Sequence, residues 1–418
     1  MYRALLLTLV VLCASTPLLA GDWLEFLGHG GTARSSDVVP VEWSESSNLI
    51  WNVDLPGTGS SSPIIVGDRV IVTCYVAGDG EARREVLCFD KNTGAKFWSV
   101  DFPIDYSEDP YQGYIIEHGY ASNTPVSDGE HVFVFLGKGG VHAITLDGEK
   151  VWSVDVGKES SNRQWGSGAS LLLFEDSLIV NAAEESKAIL ALNKSDGSEL
   201  WRQEAGMLEL AYGTPRLVTI ASGEAELVIS VPEEVWALNP STGKLKWFAQ
   251  SPMTGNVCPS IIVDGGEIYT FGGYRSSGSV SLNAGGKGDV TQSHSRWESR
   301  YSSYVATPLL YDGRLYWIDD QGIAYCTSAK DGSLIYRERV GDLGGGRPVY
   351  ASPVLIGKYI YVVSRTGGTV VYPPGPEFEP IARNVISSDK TDFNASPAVA
   401  DGRIYLRSNQ VLYCIGEK

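Results

Sequence analysis

Apolar and polar residues alternate one for one along most of the chain, in short runs separated by glycine-containing turns. The stretch TPLLYDGRLYWIDDQGIAYCTSAKDGSLIYRE, which begins at Thr307, shows the pattern in full, with turns at Asp312-Gly313, Asp320-Gln321-Gly322 and Lys330-Asp331-Gly332. Successive side chains on a strand face opposite sides, so period-two alternation broken by such turns predicts four short antiparallel strands. No stretch carries a sustained helical period.

The unit recurs. Ser or Thr followed by Pro opens it at Pro63, Pro125, Pro215, Pro308, Pro353 and Pro397, and Ala169-Ser170 and Cys258-Pro259 hold the same register with one substitution each. The starts at 63, 125, 170, 215, 259, 308, 353 and 397 lie 44 to 49 residues apart after a longer first interval. A four-stranded unit of ~40 to 50 residues is the size of a propeller blade. The predicted fold is therefore all-β, an eight-bladed β-propeller of four-stranded antiparallel blades. The last unit stops at Lys418 after three strands, while Leu49-Ile50-Trp51-Asn52-Val53-Asp54 has the look of the outer strand Val151-Trp152-Ser153-Val154-Asp155. The N-terminal segment is thus predicted to complete the last blade and close the ring, which leaves no unpaired edge.

Trp98, Trp152, Trp201 and Trp247 follow the third turn of successive units. One buried indole removes ~150–250 Å² from water, worth about 4–6 kcal/mol before entropy, so these residues read as docks between blades.

Arg3, the apolar run Ala4–Leu12 and the small residues ending at Ala20-Gly21 have the layout of a cleavable secretory signal. Leu12 is too large for the lipoprotein cleavage site that Cys13 would need, so cleavage is expected near Ala20. The expected division is 1–20 signal peptide, 21–48 N-terminal extension and 49–418 propeller, secreted or periplasmic, without a transmembrane segment and monomeric. Net charge is −17 with a pI near 4.8, so counterion release gives no help to nucleic-acid binding. Cys74, Cys88, Cys258, Cys326 and Cys414 form no C-x-x-C pair, and neither a zinc site nor a disulfide framework is indicated.

A Thr-Gly turn plus Trp in each unit, with Ser/Thr-Pro openings, resembles the pyrroloquinoline-quinone (PQQ) type propeller repeats. It is also similar to their non-enzymatic relatives, which include the propeller lipoprotein of bacterial outer-membrane assembly. The opening Asp22-Trp23-Leu24-Glu25-Phe26-Leu27-Gly28 looks like the Trp-x-x-Phe-Arg-Gly start of secreted members, with Leu27 in place of Arg. The resemblance implies the propeller fold but a mixed range of functions. Its dehydrogenases stack the quinone on adjacent disulfide-bonded cysteines over Ca²⁺; here no two cysteines are adjacent, and no Cys-x-x-Cys-His haem site is present.

Loops entering the innermost strands converge at one mouth of a propeller, where a rigid scaffold carries function. The candidate ligand-binding residues there are Glu117, His118, Tyr120, Asn123, Arg163, Trp165, Tyr212, Tyr304, Arg347, Tyr350 and Asn394. The aromatics Tyr120, Tyr212, Tyr304, Tyr350 and Phe393 recur just before the openings, as a ring around the mouth or as packing between blades. The insertion FPIDYSEDPYQGYIIEHGY, residues 102–120, is long enough to cap the channel. Lys287 to Tyr304 reads as a second irregular stretch, a solvated loop. No nucleophile elbow, phosphate loop or metal-ligand histidine pair is present, so no catalytic or metal residue is assigned. The favoured expectation is a binding or scaffold propeller for a peptide, protein or envelope component. The alternative is a PQQ- and calcium-dependent alcohol or sugar dehydrogenase, which requires Trp165 and at least two carboxylate or amide oxygens in one channel cavity.

Overall fold

Each repeat folds as an antiparallel meander, and eight of them form the ring. The computed structural model describes residues 21–78 and 82–417; the expected signal peptide lies outside the described residues. Blade one shows the common order, Ile64–Val66 innermost, then Arg69–Val76, Arg83–Asp90 and Lys96–Pro103 outermost. Blade eight takes Ala398–Ala400, Arg403–Arg407 and Val411–Gly416 from the C-terminus and its outer strand, Leu49–Asp54, from the N-terminal segment. Trp51 faces Cys414 and Asp54 faces Val411, so the predicted closure is the one that forms.

The outer strands carry a bulge that turns each tryptophan toward the next blade. Trp51 donates its indole N–H to the Lys91 carbonyl (3.1 Å), Trp98 to Leu146 (2.9 Å), Trp152 to Lys194 (3.0 Å) and Trp201 to Pro240 (2.9 Å). The ring lies on the glycine of that blade's third turn. At Gly94, which has φ 73°, a Cβ would sit 2.8 Å from the Trp51 ring. Blade four departs from this: Trp247 is wholly buried and donates to the carboxylate of buried Glu226 (2.8 Å), which also accepts the Gly285 N–H (3.0 Å). Blade seven has no outer-strand indole, and Trp43 of the N-terminal segment supplies one. Its backbone N–H donates to Asn384 Oδ1 (2.8 Å) and its ring stacks on Tyr361 at 6.2 Å.

The stretch from Lys287 to Tyr304 is not a solvated loop throughout. Ser295–Ser299 is the outer strand of blade five, with Trp297 opposite Ser281 and its N–H on the Ala329 carbonyl (2.9 Å). The long connection before it, which adds Gly288–Asp289 in parallel to the edge of blade four, separates the strand from its usual turn and hides it from a periodicity argument.

At the channel the openings are joined by hydroxyls. The Ser62 N–H donates to Thr124 Oγ1, Thr124 to Ser170, Ser170 to Thr214, Thr214 to Ser260, Ser260 to Thr307, Thr307 to Ser352, Ser352 to Ser396, and Ser396 back to Ser62, all at 2.9–3.1 Å. Eight bonds close a circuit through all eight blades. The circuit also corrects the register: Leu171 and Ile261 stand where the other blades have proline, one and two residues after the starts expected at 170 and 259.

Residues 22–35 cross the opposite end of the channel. Trp23 and Ile65 exchange two backbone bonds of 2.9 Å. Glu25 pairs with buried Arg216 of blade four (3.0 Å), which also donates to the Phe26 carbonyl. Arg34–Ser35 run parallel to Leu355–Ile356 of blade seven. The channel is therefore a cup, closed at one end by the chain's own N-terminal segment and open at the loop mouth.

Candidate functional site

The hydroxyl circuit forms the waist of the cup and Phe26 reaches its floor. Above the waist the wall is aromatic: Trp165, Tyr212, Tyr304 and Tyr350, with Tyr114 of the insertion at the top. The cavity has a volume of about 180 Å³. Among the candidates, Glu117, His118, Trp165, Tyr212, Tyr304, Tyr350 and Asn394 line it together.

The other four candidates stand elsewhere. Arg347 is on the rim, its guanidinium 4.8 Å from the Tyr114 ring centre and 4.9 Å from that of Tyr304, and ion-paired with Asp320 (3.2 Å). Arg163 is exposed beside Trp165. Tyr120 packs on Tyr75 and Tyr111 and donates to the Asp109 carbonyl (2.6 Å), which fixes the base of the insertion. Asn123 is a joint between blades, its Nδ2 on the Ala169 carbonyl (2.6 Å). The aromatic ring is thus smaller than expected, because Tyr120 and Phe393, which stacks on Tyr413, are turned into packing. Tyr114, Phe26, Cys258 and the hydroxyl circuit were not among the candidate binding residues. The Ser/Thr of every opening was the available signal for the circuit.

Electrostatics in the cup disfavour acid–base work. Burial pushes His118 down to about 4, so its ring, 2.7 Å from Ser122 Oγ, is neutral near pH 7. Burial pushes the Cys258 thiol up to about 12, and it stays protonated. Tyr212, Tyr304 and Tyr350 are all raised by burial and remain donors. Their hydroxyls, with Oδ1 of Asn394, are buried without a hydrogen-bond partner in the protein. Glu117 is held by Arg365, which also grips Asp392, and Asn394 Nδ2 donates to the Glu117 carbonyl (2.6 Å). The cup can therefore seat a ring against an aromatic wall.

A calcium-bound quinone fits this set poorly. Trp165, Glu117 and Asn394 do share the cavity, as that alternative requires. Ca²⁺, however, takes about six to eight oxygen ligands. Among the described residues Glu117 is the only carboxylate in the wall, it is already paired with Arg365, and no three Asp, Glu, His or Cys gather as metal ligands.

The mouth is also apolar on its outside. Tyr111, Ile116, Met207 and Tyr274 are exposed by 55, 52, 40 and 51%, and all sit on the connections of this face. Among the described residues no helix is long and apolar enough to cross a membrane.

Residues 82–338 match the family of the outer membrane protein assembly factor BamB. The BamB of Burkholderia pseudomallei (strain K96243) is 23% identical, over 78% of this chain and 87% of that protein. Among solved structures, BamB from Moraxella catarrhalis superposes with a TM-score of 0.61 at 15% identity, over 88% of this chain and 99% of the other. The quinohemoprotein alcohol dehydrogenase of Comamonas testosteroni gives 0.55 at 14%, over 95 and 81%. At these identities the two structures share the fold with this chain and carry no further argument.

Proposed function

The chain belongs to the family of the outer membrane protein assembly factor BamB, and from that membership we propose that it is a non-catalytic scaffold of the cell envelope, exported through its N-terminal signal, which docks a protein partner of outer-membrane assembly on its loop mouth. The observation that carries this reading is the mouth itself, where an exposed apolar rim of Tyr111, Ile116, Met207 and Tyr274 surrounds an aromatic cup. Exposed apolar groups gathered on one face mark interaction surfaces, and aromatic pockets at the centre of an interface seat the anchors that dominate affinity. The neutral His118 and protonated Cys258 leave the cup without an activated base or nucleophile. The eight-blade circuit supplies the rigidity that lets the loops present this surface without a large ordering cost.

The test is co-purification of the tagged protein from detergent-solubilised envelopes of its source organism. Outer-membrane assembly proteins should accompany the wild type and fall at least about tenfold with the rim variants Ile116→Asp and Met207→Asp, whose melting temperatures should match the wild type. Equal recovery with both variants would contradict the reading.

A further inference from the structure

The insertion between blades one and two is anchored at both ends and loose in the middle. On its first limb Glu108 takes a 2.6 Å bond from Arg84, and Asp109 pairs with Lys138 (2.8 Å) and accepts from Ser160 (2.5 Å). On its second limb Ile115 is wholly buried, and Ser60 donates to the His118 carbonyl (2.7 Å). Between them Tyr114 lies over the cup, held by ring contacts: Trp165 edge-on at 4.5 Å, Tyr304 at 6.4 Å and the Arg347 guanidinium at 4.8 Å. No hydrogen bond fixes its hydroxyl among the described residues. Gly113 (φ 62°) directly precedes it, a left-handed position at which glycine lets the chain rotate cheaply.

We propose that Tyr114 is a gate and an internal placeholder, and that the cup below it receives one aromatic side chain presented by the docked partner. This deepens the docking reading and rests on it. The cavity of about 180 Å³ exceeds the roughly 150 Å³ that admits a benzene-sized ring. The hydroxyls of Tyr212, Tyr304 and Tyr350 are buried in the protein, so their rings form the wall on which an incoming ring packs. When Tyr114 swings out, the face of Arg347 that it covers is free for the incoming ring, and a guanidinium over an aromatic face is attractive. The ring that now sits there reports the chemistry the seat accepts.

The probe is N-acetyl-L-tyrosinamide, with N-acetyl-L-leucinamide as control, titrated into the full mature protein by calorimetry and ligand-observed NMR. Removing the placeholder in Tyr114→Ala should tighten tyrosinamide binding at least about tenfold over wild type, and Tyr114→Phe should behave as wild type. Adding Trp165→Ala to Tyr114→Ala should abolish binding, and leucinamide should bind none of them. Tyr114→Ala that binds no better than wild type, or a double variant that still binds, would overturn the gate. Circular dichroism and melting temperature establish that each variant is folded. If the gate fails while Ile116→Asp and Met207→Asp still lose the assembly proteins, the docking face stands without it; if those variants also retain their partners, the docking reading has failed too.

Discussion

Glu184 and Glu185 are buried side by side in the short helix Ala183–Ser186 of blade three, and three of their four carboxylate oxygens have no hydrogen-bond partner. Burial pushes Glu184 up to about 7; burial and then the charge of Glu184 push Glu185 up to about 8. Arg84 and Lys138, which face Glu185 from blades one and two, offset this only in part, since they are already engaged by Glu108 and Asp109. Each glutamate keeps its proton in the folded chain where the unfolded chain, near 4.5, has released it, so stability falls as pH rises from about 4.5 toward 8. His118 and His142, both pushed down to about 4 from 6.5, oppose that trend only below 6.5. Urea unfolding should therefore show lower stability at pH 8 than at pH 6.5, and Glu185→Gln should shrink the difference. An unchanged difference in that variant would remove the assignment. None of this was visible in the residues alone, because Ala-Glu-Glu-Ser reads as a polar turn until the neighbouring blades bury it.

The elements were legible wherever a local rule governs them. Alternation and Gly turns specified the meanders, the recurrent tryptophan marked the outer strands, and Leu49–Asp54 could be matched to the missing strand by its pattern alone. Blade five was obscured because its outer strand follows a long excursion that breaks the spacing, and blade seven because its indole, Trp43, comes from a distant segment. The hydroxyl circuit was half legible: the Ser/Thr of each opening was plain, but its bond to the next blade needs the ring. Thr214→Val leaves the buried Ser170 N–H without its acceptor, which costs about 1–3 kcal/mol. Thr214→Ser keeps the acceptor, so its loss in chemical denaturation should be clearly smaller; equal losses would show that packing of the methyl, and not the circuit, matters at that position.

The chain ends meet in blade eight, the extension seals one end of the channel, and the loops at the other end form the cup and its rim. Seven of the eleven candidate residues converge there because the loops before the innermost strands must meet at a propeller mouth. Tyr120, Asn123, Arg163 and Arg347 miss the wall because side-chain direction follows from tertiary contacts that periodicity does not fix. Each face exposes a large apolar residue, Met207 on the mouth and Val38, 82% exposed, on the sealed side. A photo-crosslinking residue placed at each position in the source organism asks directly which face meets the envelope machinery. The account predicts a crosslink to an outer-membrane assembly protein from position 207 and none from position 38. Crosslinks from position 38 alone would contradict it.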